Sequence, residues 1–212
     1  MNSKVTIVMY HFVRDLKNSR YPEIKGLDIS LFKEQIKYLK NFYNFITMEQ
    51  LIDSIDNKVS LPQKAVLLTF DDAYIDHFTH VFPVLVDHKI QGSFFPPVKA
   101  IKENQVLDVN KIHFILASCE DKRKIVDDIY KLINRYRLEY KLESTEFYYS
   151  KLAKSSRYDT ADVIFIKRML QVELVEKLRK VITNELFSKY VGISEDAFSR
   201  ELYMSIDHIK TM

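Results

Sequence analysis

Two adjacent carboxylates, Asp71 and Asp72, come directly after an apolar run, Ala65 to Phe70 (AVLLTF). A run of this kind after a breaker, here Pro62, reads as a strand covered on both faces. In a parallel α/β fold the end of such a strand is the rim where ligands and catalytic groups gather. Adjacent carboxylates repel unless a cation or a shared proton offsets the repulsion. One can hold a divalent metal while the other acts as a general base. The plainer alternative has one Asp capping the next helix and the other in water. The remaining candidates are weaker. His77 and His80 are three apart in a helical pattern and can share a face, but no Glu lies between them and packing or surface roles account for them better. His113 lies on an apolar helical run and reads as packed. Cys119, the single cysteine, ends that run and reads as a structural thiol.

The elements that must carry these groups alternate in the first half. Val5 to His11 (VTIVMYH) is β-branched and aromatic and predicts a strand. Leu27 to Tyr43 has the apolar spacing of a helix, with Ser30 as N-cap. Thr47 and Gln50 predict a capping box opening a short helix through Ile55. Tyr74 to His88 predicts a helix that Pro83 must kink or interrupt. Gln91 to Phe95 predicts a third strand, stopped by Pro96 and Pro97. Strands separated by helices imply βα units and a parallel sheet. After Asp108 the texture becomes helical and rich in Lys, Glu, Leu and Ile, apart from an ambiguous stretch at Val163 to Ile166. The predicted organisation is therefore 1–108 as βα units and 109–212 as a helical insertion with a final helix.

Composition removes several function classes. The chain has 212 residues, 32 Lys plus Arg and 29 Asp plus Glu, a net charge of +3. That balance argues against a nucleic-acid partner or a polybasic membrane anchor. The longest stretch free of charged residues, His77 to Val86, is too short to span a membrane. Gly26, Gly92 and Gly192 are the only glycines, and no two are close. A dinucleotide fingerprint, a P-loop and a Gly-x-Ser-x-Gly elbow are thereby excluded. Hydrophobic residues make up 47%, with 14 Phe and 13 Tyr, enough for a core. Met1 to Tyr10 shows no leader pattern, which predicts a cytoplasmic location.

Several segments, taken in order, resemble the polysaccharide deacetylase family, metal-dependent carbohydrate esterases that share the nodulation-deacetylase domain. Met9-Tyr10-His11 resembles the family's opening strand. Leu31, Phe32, Gln35, Ile36 and Leu39 resemble the next helix, and Phe45-Ile46-Thr47-Met48 with Leu51 the turn after it. Leu67 to Asp72 resembles the first catalytic motif. Tyr74, Asp76, Phe82-Pro83 and Leu85 match the family's segment after that motif, and Gly92, Phe94 and Phe95 match the next strand. The resemblance implies an α/β fold, part of a distorted (β/α) barrel with parallel strands, plus a large helical insertion. It implies Asp71 as catalytic base with His11 nearby in a catalytic role, Asp72 as a metal ligand, and Tyr10 and Tyr74 as substrate-binding residues. The implied cofactor is a divalent metal, zinc in most members. The implied substrate is an N-acetylated sugar or glycan, which loses acetate by hydrolysis.

Two departures stand out. Ala73 occupies a position where the family commonly has Gly, so a Cβ enters the turn beside the carboxylates. The family's second metal motif, a His-x-x-x-His type segment, has no counterpart. Tyr203 to Met212 resembles the helix that precedes it, so the chain reads as cut partway through a catalytic domain. A barrel cut in this way predicts an open strand edge, partly uncovered apolar faces at Val66, Leu68 or their neighbours, and self-association. A non-catalytic binding module derived from the same fold is the competing reading.

Overall fold

The computed structural model describes residues 4–212. Met1–Ser3, on which part of the leader reading rests, lie outside the described residues. The chain forms two compact units, one made of residues up to Gln105 together with Glu195–Met212, the other of Val106–Ser194.

In the first unit the order is β1 (Val5–Tyr10), β2 (Val13–Arg14), β3 (Leu27–Asp28), α1 (Ile29–Phe42), β4 (Asn44–Phe45), α2 (Met48–Asp56) and β5 (Ala65–Asp71). A π-helical turn (His77–Val81) leads into α3 (Phe82–His88), then β6 (Ser93–Phe95) and α4 (Val98–Glu103). Strand β5 is the hub. It runs parallel to β1 from Val5 opposite Ala65 to Tyr10 opposite Phe70. On its other side it pairs with β4 at its start and with β6 at its end, where Asp71 faces Phe95. All these pairings are parallel, as strands joined through helices require. The mixed α/β fold with parallel strands is thus present, as an open four-stranded sheet.

Burial explains the composition of β5. Val66, Leu68 and Phe70 pack with Phe32, Ile36 and Leu39 of α1 and with Val81, Val84 and Leu85. Ala65 and Leu67 pack on the opposite face with Ile46. Of the residues expected to be uncovered, Val66 and Leu68 themselves are fully buried. On the neighbouring strand β1, Ile7 and Met9 are 54% and 60% exposed. Among the described residues β1 has a sheet neighbour, β5, on one side only.

Helix boundaries reflect local chemistry. Helix α1 is capped by Asp28, whose Oδ1 accepts from the Ser30 amide at 2.9 Å; Ser30 itself is already helical. The Thr47–Gln50 capping box opens α2. Pro83 lies in the first turn of α3, where a missing N–H costs nothing. The π-helical turn just before it interrupts the expected Tyr74–His88 helix.

The second unit is helical: α5 (Asp108–Ala117), α6 (Lys122–Tyr140), α7 (Thr145–Leu152), α8 (Ala161–Arg168) and α9 (Glu176–Val191). The ambiguous Val163 to Ile166 lies inside α8. Lys111 Nζ donates to Asn184 Oδ1 at 2.7 Å between α5 and α9. Asp128 accepts from Lys131, Lys189 and Tyr190 and ties α6 to α9. Cys119 is half-buried past the end of α5. Helices α10 (Glu195–Leu202) and α11 (Ile206–Thr211) belong to the first unit. No helix among the described residues is long and apolar enough to cross a membrane.

Candidate active site

The rim is built by register. Tyr10 and Phe70 are opposite each other on β1 and β5, so His11 and Asp71 leave the sheet side by side. His11 Nε2 lies 4.0 Å from Asp71 Oδ2, with side chains 46% and 32% exposed. Both groups are therefore open to a ligand arriving from solvent. A cleft of about 600 Å³ begins at His11 and is lined also by Met9, Lys25 and Gly26.

Beyond Asp71 the chain turns sharply. Asp72 and Ala73 have φ of 71° and 51°, the left-handed region that residues with a Cβ rarely enter. The position where the resemblance expects Gly is thus one where Gly is physically favoured. The turn is held by the Met204 amide, which donates to Ala73 O at 2.8 Å, and by an antiparallel bridge between Tyr74 and Tyr203. Strain of this kind persists only where surrounding contacts enforce it, and it concentrates at functional sites.

The two tyrosines expected to meet substrate are inside the protein. Tyr10 stacks on Phe70 at 5.2 Å and donates to Gln35 Oε1 at 3.0 Å. Burial pushes its phenol up to about 12. Tyr74 is fully buried against Phe12, ring centroids 3.9 Å apart. Its hydroxyl donates to Asp72 Oδ2 at 2.7 Å. Burial, then the Asp72 charge, raises its pKa far above the usual phenol range. Tyr74 therefore orients Asp72 from inside the fold, while Tyr10, though only 6% exposed, is among the residues lining the cleft beside His11.

Three further groups brace this rim. His77 is completely buried among Phe70, Tyr74 and Phe94. Its Nε2 is 2.7 Å from the His11 carbonyl oxygen and donates to it. Burial pulls its pKa down to about 4, against the opposing pull of that hydrogen bond, so the ring is neutral at pH 7. Its Nδ1 is buried without a partner. Arg14 donates through Nε and a terminal nitrogen to Asp76 Oδ2 at 2.8 and 2.7 Å. Burial nonetheless raises the Asp76 carboxyl above its ordinary value. Arg14 and the bracing role of His77 are not legible in the sequence. The apolar neighbours of His77 hint at burial, but its partner is a backbone carbonyl that no side-chain pattern announces.

A catalytic zinc takes about three protein ligands. Among the described residues no group of three or more His, Cys, Asp or Glu is arranged to hold a metal. His11, Asp71 and Asp72 do not by themselves form such a site. His77 has committed its Nε2 to His11, so the His77–His80 pair supplies none either.

Residues 58–135 match a family model described as polysaccharide deacetylase. The chain is 32% identical over 85 residues to the poly-β-1,6-N-acetyl-D-glucosamine N-deacetylase of Escherichia coli K12, covering 40% of this chain and 12% of that protein. It is 31% identical over 102 residues to YxkH of Bacillus subtilis strain 168, named for the same family, covering 47% and 34%. The chain thus spans only 12% to 34% of the length of these curated relatives. Among solved structures it is similar to a de-N-acetylase from Aggregatibacter actinomycetemcomitans, with 28% identity, a TM-score of 0.43, and 49% and 42% of the two chains covered. It is also similar to IcaB from Ammonifex degensii, with 31% identity, a TM-score of 0.39, and 47% and 42% covered. The matched segment holds β5 and both rim carboxylates, and this part of the chain is similar to the polysaccharide deacetylase family.

Proposed function

We propose that the chain acts in the hydrolytic removal of acetyl groups from an N-acetylated carbohydrate. The observation that carries the reading is the 4.0 Å approach of His11 to Asp71 at an open rim. Asp71, whose side chain is 32% exposed at the rim, takes the proton from the attacking water. His11 lies beside that carboxylate and beside the developing charge, where an imidazolium offsets it. Water adds to the amide carbon, Asp71 returns the proton it took to the leaving nitrogen as the C–N bond breaks, and acetate and a free amine leave.

Members of the family are generally metal-dependent. Asp72, oriented by Tyr74, is the carboxylate of this rim available to a divalent metal. The described residues do not complete its coordination, and the proton chemistry proposed for Asp71 and His11 rests on their own geometry. The incomplete ligand set favours a second reading, a module that binds an N-acetylated glycan without cleaving it.

The test uses the purified chain with oligomers of N-acetylglucosamine. Acetate release and NMR shift perturbation are measured in the native protein and in Asp71→Asn. Hydrolysis predicts acetate release that disappears in Asp71→Asn. The binding reading predicts perturbations centred on His11 and Asp71 with no acetate. Oligomers that perturb neither residue overturn both.

A further inference from the structure

Taking Asp71 and His11 in their proposed roles, we propose that Asp76 and His77 are positioning residues, a two-point clasp that fixes the strand exit His11–Arg14 and so holds the His11 ring against Asp71. Register brings His11 and Asp71 to the same rim, but it does not aim the ring. The parallel ladder of β1 and β5 ends at Tyr10 opposite Phe70. The chain bends at His11, and β2 begins only at Val13. His11 and Phe12 thus lie between two strands, outside the paired residues. The rotamers open to a side chain depend on its backbone angles, so an unpinned His11 would not keep its ring in one place.

Asp76 and His77 supply the pins. His77 Nε2 donates to the His11 carbonyl at 2.7 Å. Asp76 Oδ2 accepts from Arg14 Nε at 2.8 Å and from a terminal nitrogen at 2.7 Å. Both members of the clasp are buried. Between the two pins the Phe12 ring stacks on Tyr74 at 3.9 Å, and the Arg14 guanidinium carbon lies 4.9 Å from the centre of the Phe12 ring. Tyr74, Asp76 and His77 therefore grip His11, Phe12 and Arg14.

The place of the clasp in the chain ties it to the rim. Only five residues separate Asp71 from His77. The turn between them is held, with the Met204 amide on the Ala73 carbonyl and the His77 amide on the Tyr74 carbonyl at 2.9 Å. His11 is thus hydrogen-bonded to the same short segment that carries the base. The imidazole suits the task. Phe70, Tyr74 and Phe94 surround it at centroid distances of 5.5, 5.7 and 6.0 Å, which sets its plane. Its Nδ1 is buried without a partner, so the bond to His11 is where the ring spends its proton. Water does not compete there, which strengthens that bond. The π-helical turn that starts at His77 is of a kind found frequently at functional sites.

The test begins on the native chain. Imidazole nitrogen NMR near neutral pH should show His77 as the Nε2–H tautomer, and nuclear Overhauser contacts should link the His11 ring to Asp71. An Nδ1–H tautomer overturns the proposal without any variant. His77→Phe keeps a ring among the three aromatics and removes the donor. His77→Gln carries an amide N–H to about the reach of Nε2 and restores it. With oligomers of N-acetylglucosamine, His77→Phe should lower kcat about 10-fold with KM changed less than about 2-fold, because a displaced reacting group costs turnover and not ground-state binding. His77→Gln should return kcat to within about 3-fold of the native value. In a His11→Ala background His77→Phe should have almost no further effect, because it acts through His11. A loss of equal size in that background, or no rescue by His77→Gln, marks a merely structural residue and overturns the proposal. A native chain that releases no acetate defeats the hydrolytic reading, and the clasp is then judged by the Overhauser contacts alone. They should be lost in His77→Phe and kept in His77→Gln; contacts unchanged in both overturn it. Circular dichroism establishes that each variant is folded. Asp76→Asn weakens the Arg14 end of the clasp and is read in the same way should His77→Phe not fold.

Discussion

His11 and Asp71 meet because β1 and β5 are parallel and in register: with Tyr10 opposite Phe70, the next residue of each strand exits at the same rim, and His11 Nε2 reaches 4.0 Å from Asp71 Oδ2. If Asp71 is the base, Asp71→Asn keeps the shape and loses the proton acceptor. Acetate release should fall by about 10³-fold or more, since a positioned base contributes on the order of 10²–10⁴. His11→Ala should cost less, roughly 10-fold to 100-fold, because the carboxylate remains. Initial rates with an N-acetylglucosamine oligomer measure both. Turnover that survives in Asp71→Asn would remove Asp71 from the chemistry.

Ala73 sits at φ 51°, fully buried, with its carbonyl fixed by the Met204 amide. A Cβ in the left-handed region costs roughly 1–2 kcal/mol. Glycine removes that cost but adds freedom to the unfolded chain, worth about 0.4–1 kcal/mol. Ala73→Gly should therefore stabilise the fold by about 0.5–1 kcal/mol, read as a higher urea midpoint at unchanged slope. A lower midpoint would mean that the packing of the Ala73 methyl outweighs the backbone strain.

Strand β5 is legible in the sequence because Ala65 to Phe70, apolar apart from Thr69, leaves no charged face, and its end locates the carboxylates. The Thr47–Gln50 cap is legible because both members of a reciprocal motif are local. Strands β2, β3 and β4 are not, since two residues carry no period-2 signal. The start of α1 shifts because Asp28 and Ser30 both suit a cap, and only geometry shows which one accepts the amide. Asp72 and Ala73 hide their positive φ because neither is Gly. Tyr10 and Tyr74 carry the resemblance, yet their identity does not tell which way the rings point. Contacts with Gln35 and Asp72 turn them inward. The Arg14–Asp76 pair joins β2 to the segment after β5, a long-range contact that no local pattern encodes.

Gly92 reads from sequence as part of a strand and proves to be a point of close approach. A Cβ there would lie 2.7 Å from Phe70 Cε2 and 3.0 Å from Leu85 Cδ1. Phe70 cannot yield easily, because Tyr10 and Phe94 stack on it at 5.2 and 4.8 Å. Gly92→Ala should destabilise by about 1–3 kcal/mol through overpacking. Phe70→Leu makes room on the same spot. The double variant should then be more stable than the sum of the single losses predicts, a coupling that thermal unfolding of the four proteins measures. Strict additivity would count against the clash.

His77 makes stability depend on pH in a known direction. Its folded pKa is about 4, below the ordinary value of 6.5, because burial disfavours the imidazolium. The unfolded chain therefore binds the proton first as pH falls. The contribution of His77 to stability is fully present above about pH 7, is lost between about 6.5 and 4, and levels off below that. The loss is on the order of 3 kcal/mol for a shift of this size. His77→Phe keeps an aromatic ring among Phe70, Tyr74 and Phe94 but cannot be protonated. It also removes the donor to the His11 carbonyl, a roughly constant cost of about 1 kcal/mol. Carboxylates common to both proteins largely cancel in the difference between their stability curves. Urea midpoints measured from pH 7.5 down to pH 4.5 should therefore fall more steeply in the native protein than in His77→Phe, and because the loss of about 3 kcal/mol exceeds the offset of about 1 kcal/mol, the native curve should cross below that of the variant. Curves that stay parallel throughout would mean that His77 is not held neutral, and the clamp on the His11 carbonyl would have to be reassigned to another proton arrangement.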